Sequence, residues 1–89
     1  MKAVISVTGK DNMGIIAKVS NKCTDIGANI LDISQTVLSD YFVMIMLVDI
    51  SKLSIQFGSF VDTMSELGKQ NNLAIYTMHE DIFNSMHKI

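Results

Sequence analysis

The chain has 89 residues, 48% of them hydrophobic, and a mean hydropathy of +0.32, which supports one domain with a compact core and leaves no room for a second. Seven lysines, no arginine and a net charge of −2 leave no basic stripe, excluding nucleic acid as a direct partner. Cys23 has no second cysteine to pair with, no apolar run approaches the ~18 residues of a membrane span, and no charged segment leads into an apolar one at the N-terminus; a soluble, cytoplasmic protein is expected.

Lys2 to Thr8 is β-branched and apolar, with Val4, Ile5 and Val7 serving both faces, the pattern of a central strand, β1. A polar loop bounded by Gly9 and Gly14 follows, where Asp11 or Asn12 can accept hydrogen bonds from the amides that open the next helix. Those amides and the positive end of the helix dipole favour a carboxylate or phosphate, so the loop is either a candidate anion site or simply a capped helix start. The periodicity predicts helix α1 from about Met13 to Ala28, with Ile16, Val19, Cys23 and Ile26 on one stripe and Lys18, Lys22 and Asp25 outside it. Cys23 thus reads as a buried small hydrophobe, and Gly27 as the left-handed stop.

From Asn29 to Leu38, Leu31, Ile33 and Val37 alternate with Asp32, Ser34 and Thr36, the signature of a half-buried strand, β2. Ser39-Asp40 makes a short turn into Tyr41 to Asp49, the most apolar run of the chain and the predicted strand β3 at the sheet centre. Ser54 is the predicted N-cap of helix α2, which carries Phe57, Phe60, Val61, Met64 and Leu67 on one face and closes near Asn71; Leu73 to Met78 is the last strand, β4. The order βαββαβ is that of an α+β, ferredoxin-like domain over residues 1–79, with a four-stranded antiparallel sheet and both helices on one face. Right-handed crossovers put β1 and β3 in the centre and β2 and β4 at the edges, and no glycine or proline falls inside a predicted strand.

Residues 80–89 form a tail in which Ile82, Phe83, Met86 and Ile89 share a helical stripe, Asp81 caps the start and Lys88 suits the end. Because β3 is apolar on both faces, this tail is expected to pack on the sheet face away from α1 and α2, on its own domain or on a dimer partner. Strand β2 has neither proline nor lysine to protect its edge, and antiparallel pairing with a second copy, giving a homodimer, is the simplest cover.

Function must be argued from the site, since this fold hosts unrelated activities. A heavy-metal carrier would need a Cys-x-x-Cys after β1, a phosphoryl-binding enzyme an arginine, and an RNA-recognition domain aromatics on both central strands; none of these is present. His79-Glu80-Asp81 is the one polar cluster, and on a helix His87 would lie about 12 Å from His79, too far to share a metal ion. No catalytic residue, metal or cofactor is expected. The seven methionines, Met44, Met46, Met64 and Met78 among them, fall at strand or helix spacing and read as core.

The run Gly9-Lys10-Asp11-Asn12-Met13-Gly14-Ile15-Ile16-Ala17, followed by Gly27-Ala28-Asn29-Ile30, resembles the start of an ACT domain, a small regulatory module that binds amino acids in many metabolic enzymes. The resemblance covers nearly the whole chain in length and element order and is closest to short stand-alone ACT proteins of unassigned role; more distantly it reaches the ACT domains of glycine-cleavage repressors. Met13 stands where proline is common, so φ is not fixed in advance at the loop. The resemblance implies that an α-carboxylate takes the amides of Gly14 and Ile15, that Asp11 faces the ammonium with Asn12 beside it, and that Asn29 reaches the ligand from across a subunit interface. It further implies a homodimeric regulator that binds a small molecule, an amino acid, and signals to a separate partner protein in amino-acid metabolism. The alternative is a ligand-free interaction module in which the loop is structural and the edge strand recruits a partner.

Overall fold

Alternating apolar residues build the sheet, and apolar stripes on the helices cover one side of it. The computed structural model describes residues 1–10 and 14–86. They form β1 (Lys2–Lys10), α1 (Ile15–Asp25), β2 (Asn29–Leu38), β3 (Tyr41–Asp49), α2 (Phe57–Gln70), β4 (Leu73–His79) and α3 (Glu80–Met86). The strands make one antiparallel sheet in the order β2-β3-β1-β4, as the crossover rule requires. The expected ferredoxin-like fold is therefore present, with a C-terminal helix added. The expectations on Asp11, Asn12, Met13, His87, Lys88 and Ile89 lie outside the described residues.

Register decides which side chains share a face. Ala3, Ile5 and Val7 of β1 stand opposite Val48, Met46 and Met44 of β3, and all six are buried under the helices with Leu73 and Ile75 of β4. From above, α1 contributes Ile15, Val19 and Cys23, and α2 contributes Phe60 and Met64. Burial pushes the Cys23 thiol up to about 11, which keeps it protonated and inert, as its place on the stripe implies.

Four local expectations need correction. The inward stripe of α1 runs through Ile15, whereas Ile16 is 37% exposed, because Ile15 stands one turn before Val19 on the face that Val19 and Cys23 bury. Ser54 does not cap α2: Gln56 holds that position, and the Ser54 amide and hydroxyl instead donate to the Ile26 carbonyl at 2.9 and 3.1 Å, tying the β3–α2 loop to the end of α1. Strand β1 runs on to Lys10 and so contains Gly9, where a methyl would sit 2.6 Å from Leu73 Cδ2; the missing side chain lets β4 approach.

Strand β2 is the fourth. Its alternation is real, but within one chain it is not half-buried: Ile33 and Val37 stand opposite Met46 and Phe42 on the helix side, yet they are 36% and 58% exposed. The opposite face of the sheet carries Tyr41, Val43, Ile45 and Leu47 of β3, and α3 packs on its β1 and β4 side, where Val4 is buried.

Candidate functional site

Helix α1 separates the expected ligand residues. Gly14 caps its start with φ +82°, a left-handed conformation suited to glycine, and its carbonyl accepts from the Lys18 amide at 2.9 Å. Ile15 follows as the first helical residue and is buried. Asn29 lies past the other end and is exposed. An 11-residue helix rises roughly 16 Å, so one chain does not bring Gly14 and Ile15 together with Asn29. Asp11 and Asn12 fall outside the described residues.

The far end of α1 is closed by paired bonds. Ile26 is the C-cap, the Gly27 amide donates to the Thr24 carbonyl at 3.2 Å, and the Ala28 amide to the Cys23 carbonyl at 2.9 Å, with Gly27 at φ +85°. This is the Schellman arrangement, which satisfies the last carbonyls and turns the chain into β2. A side chain on Gly27 would overlap the Lys52 carbonyl, so its absence also lets the β3–α2 loop lie against the helix end.

Where that loop meets Asn29, a hollow of about 350 Å³ is lined by Gly27, Asn29, Asp49, Ser51 and Lys52. A second of about 350 Å³ adjoins it and shares Gly27, Asn29 and Lys52, adding Thr24, Ala28 and Ile30. Asn29 stands opposite Asp49 in the β2–β3 ladder. The Ser51 amide donates to Asp49 Oδ1 at 2.8 Å, and the Met1 ammonium donates to Ser51 Oγ at 3.2 Å. Hydrogen bonds from Ser51, first from its side chain and then from its amide, hold the Asp49 carboxyl below the usual range, with the Met1 ammonium and Lys2 adding smaller attractions.

A pH dependence follows. Since the folded pKa of Asp49 lies below its unfolded value of about 3.9, its contribution is complete above that value and is lost as pH falls through the folded pKa. Asp49→Asn should therefore melt below the parent protein near neutrality, with the gap closing in acid. A gap that stays constant with pH would assign the loss to something other than charge.

Asp49, Ser51 and Lys52 were not legible as site residues. Counting back from the Ser39-Asp40 turn pairs Asn29 with Ile50; a bulge between Ile30 and Asp32 shifts the register by one and brings Asn29 to Asp49 instead. His79, the expected solvated strand end, stacks on Phe57 with ring centroids 3.9 Å apart. Among the described residues no group of three or more His, Cys, Asp or Glu could hold a metal ion, and no helix is long and apolar enough to cross a membrane.

A family model for the ACT domain matches residues 2–76. The UPF0237 protein of Clostridium perfringens is 49% identical over 89 residues, spanning the whole of both chains. Among solved structures, an ACT domain protein from Streptococcus pneumoniae superposes with a TM-score of 0.83 at 41% identity, covering 98% of each chain. A protein assigned as a glycine cleavage system transcriptional repressor superposes with a TM-score of 0.69 at 28% identity, covering 85% of this chain and 43% of its own.

Proposed function

Because the chain belongs to the ACT domain family, a family of small-molecule-binding regulatory modules, we propose that it binds an amino acid as a homodimer and passes occupancy to a separate partner protein in amino-acid metabolism. The observation that carries this reading is the bare β2 edge together with the register of the sheet. Leu38, at the end of β2, stands opposite Tyr41, which stands opposite Lys10, so the end of β2 shares an edge of the sheet with the start of α1. Asn29 lies at the other end of the same strand.

Antiparallel pairing of two β2 strands exchanges those ends. Asn29 of the partner subunit then lies at the end of the sheet where α1 starts, instead of at the opposite end as within one chain. The same pairing satisfies the hydrogen-bonding edge of β2 and covers Val37 and Leu38, which are 58% and 63% exposed. In this arrangement the Gly14 and Ile15 amides receive the α-carboxylate, Asp11 meets the ammonium with Asn12 beside it, and the partner's Asn29 closes the site. A ligand that touches both subunits can alter the interface, which is how occupancy becomes a signal. The likeness to an assigned repressor of the glycine cleavage system supports a role in amino-acid metabolism.

Complementation tests the shared site. Asp11→Ala and Asn29→Ala should each abolish titration of the amino acid that binds the parent protein, while a mixture of the two variants, unfolded and refolded together, should regain about a quarter of the sites through mixed dimers. No recovery on mixing would place both residues in one subunit's site and contradict the proposal.

A further inference from the structure

We propose that the two adjoining hollows at the end of α1 form a zwitterion-binding site complete within one subunit, in which Asp49 takes the ammonium and Lys52 the carboxylate of an α-amino acid with a short aliphatic side chain. This rests on the amino-acid class proposed above, and not on the placement at the subunit interface. The polar hollow is lined by Asp49, Lys52 and Asn29, residues that carry a carboxylate, an ammonium and an amide able both to donate and to accept. The C-terminal end of α1 lies beside it and adds a negative dipole end that favours the ammonium.

The neighbouring hollow suits the side chain. Ala28 is buried and Ile30 half-buried, and the Thr24 hydroxyl turns back to the Ser20 carbonyl at 3.0 Å, so these three surround an apolar group without requiring a polar one. Gly27, Asn29 and Lys52 line both hollows, so the two adjoin. The walls are held before any ligand arrives. The Ile50 amide donates to the Met1 carbonyl at 3.0 Å, the Leu53 amide to the Ile50 carbonyl at 3.2 Å, and the Ser54 amide to the Ile26 carbonyl at 2.9 Å. A loop fixed in this way loses little freedom on binding.

Amide chemical shifts of the full chain, titrated with L-valine, isovalerate and isobutylamine, test the proposal. L-valine should shift the Asn29, Ser51 and Lys52 amides. Isovalerate lacks the ammonium and isobutylamine the carboxylate, and each should bind at least about tenfold more weakly, as should L-valine to Asp49→Asn and to Lys52→Gln; tenfold is about 1.4 kcal/mol. Both substitutions are at exposed or half-buried positions, and the variant spectra report that the fold is retained. Shifts confined to Gly14 and Ile15 would overturn this inference and leave the interface site standing. Shifts at Asn29, Ser51 and Lys52 that survive both substitutions would overturn the assigned roles, and no shift at either end would overturn this site together with valine binding at the interface.

Discussion

Phe60→Ala should lower stability by about 3–5 kcal/mol, a large share of the roughly 4–13 kcal/mol available to a domain of this length. Phe60 is fully buried in α2, and its ring meets Phe57 edge-on with centroids 6.2 Å apart. Phe57 in turn stacks on His79 at the end of β4, so the truncation removes a core side chain and also loosens the contact that fixes the last strand where α3 begins. At roughly 4–8 °C per kcal/mol, the melting temperature should fall by more than about 12 °C. A fall below about 5 °C would show that the helix layer does not seat on Phe60 as described.

Gly27→Ala should cost about 2–3 kcal/mol, and Gly14→Ala about 1–2 kcal/mol. Both glycines have φ above +80°, so an added methyl is strained at either site. They differ in surroundings: among the described residues nothing lies within 4 Å of a Cβ built on Gly14, whereas one on Gly27 overlaps the Lys52 carbonyl. The excess at Gly27 therefore measures the packing of the β3–α2 loop on the end of α1. Denaturant unfolding of the two variants, compared at equal slope, gives that difference directly. Equal losses would show that the loop moves aside freely, and the hollow beside Asn29 would then lack a fixed wall.

Most of the fold could be read from periodicity because a two-layer domain imprints its layers on the sequence. Val4, Ile5 and Val7 need cover on both faces, which marks β1 as central, and the continuous apolar run of β3 does the same. The errors fall where one residue decides. Ile15 and Ile16 are equally apolar, and only the way α1 is turned on the sheet selects which faces inward. Ser54 has the chemistry of a cap but spends it on the Ile26 carbonyl, a partner 28 residues away. The alternation in β2 implies a covered face, and in a single chain Ile33 and Val37 on that face stay 36% and 58% exposed.

The site was legible only in part for a related reason. Glycines and cap residues mark where a chain turns, and so Gly14, Gly27 and Asn29 stood out. The companions of Asn29 depend on a bulge at Ile30/Asp32 and on a loop contact across Gly27, and neither leaves a local pattern. The separation of Gly14 from Asn29 also required the fold, because the sequence puts them in two glycine motifs without saying which end of the sheet each occupies.

The measurement closest to the central claim is the melting temperature of the intact protein in the presence of each common amino acid at millimolar concentration, with the oligomeric state followed by sedimentation. At least one amino acid should stabilise the folded dimer, by about 2.7 kcal/mol when present at 100 times its dissociation constant, which corresponds to roughly 10–20 °C for a domain of this size. A dimer whose melting temperature none of them moves would contradict amino-acid binding and leave a ligand-free interaction module in its place.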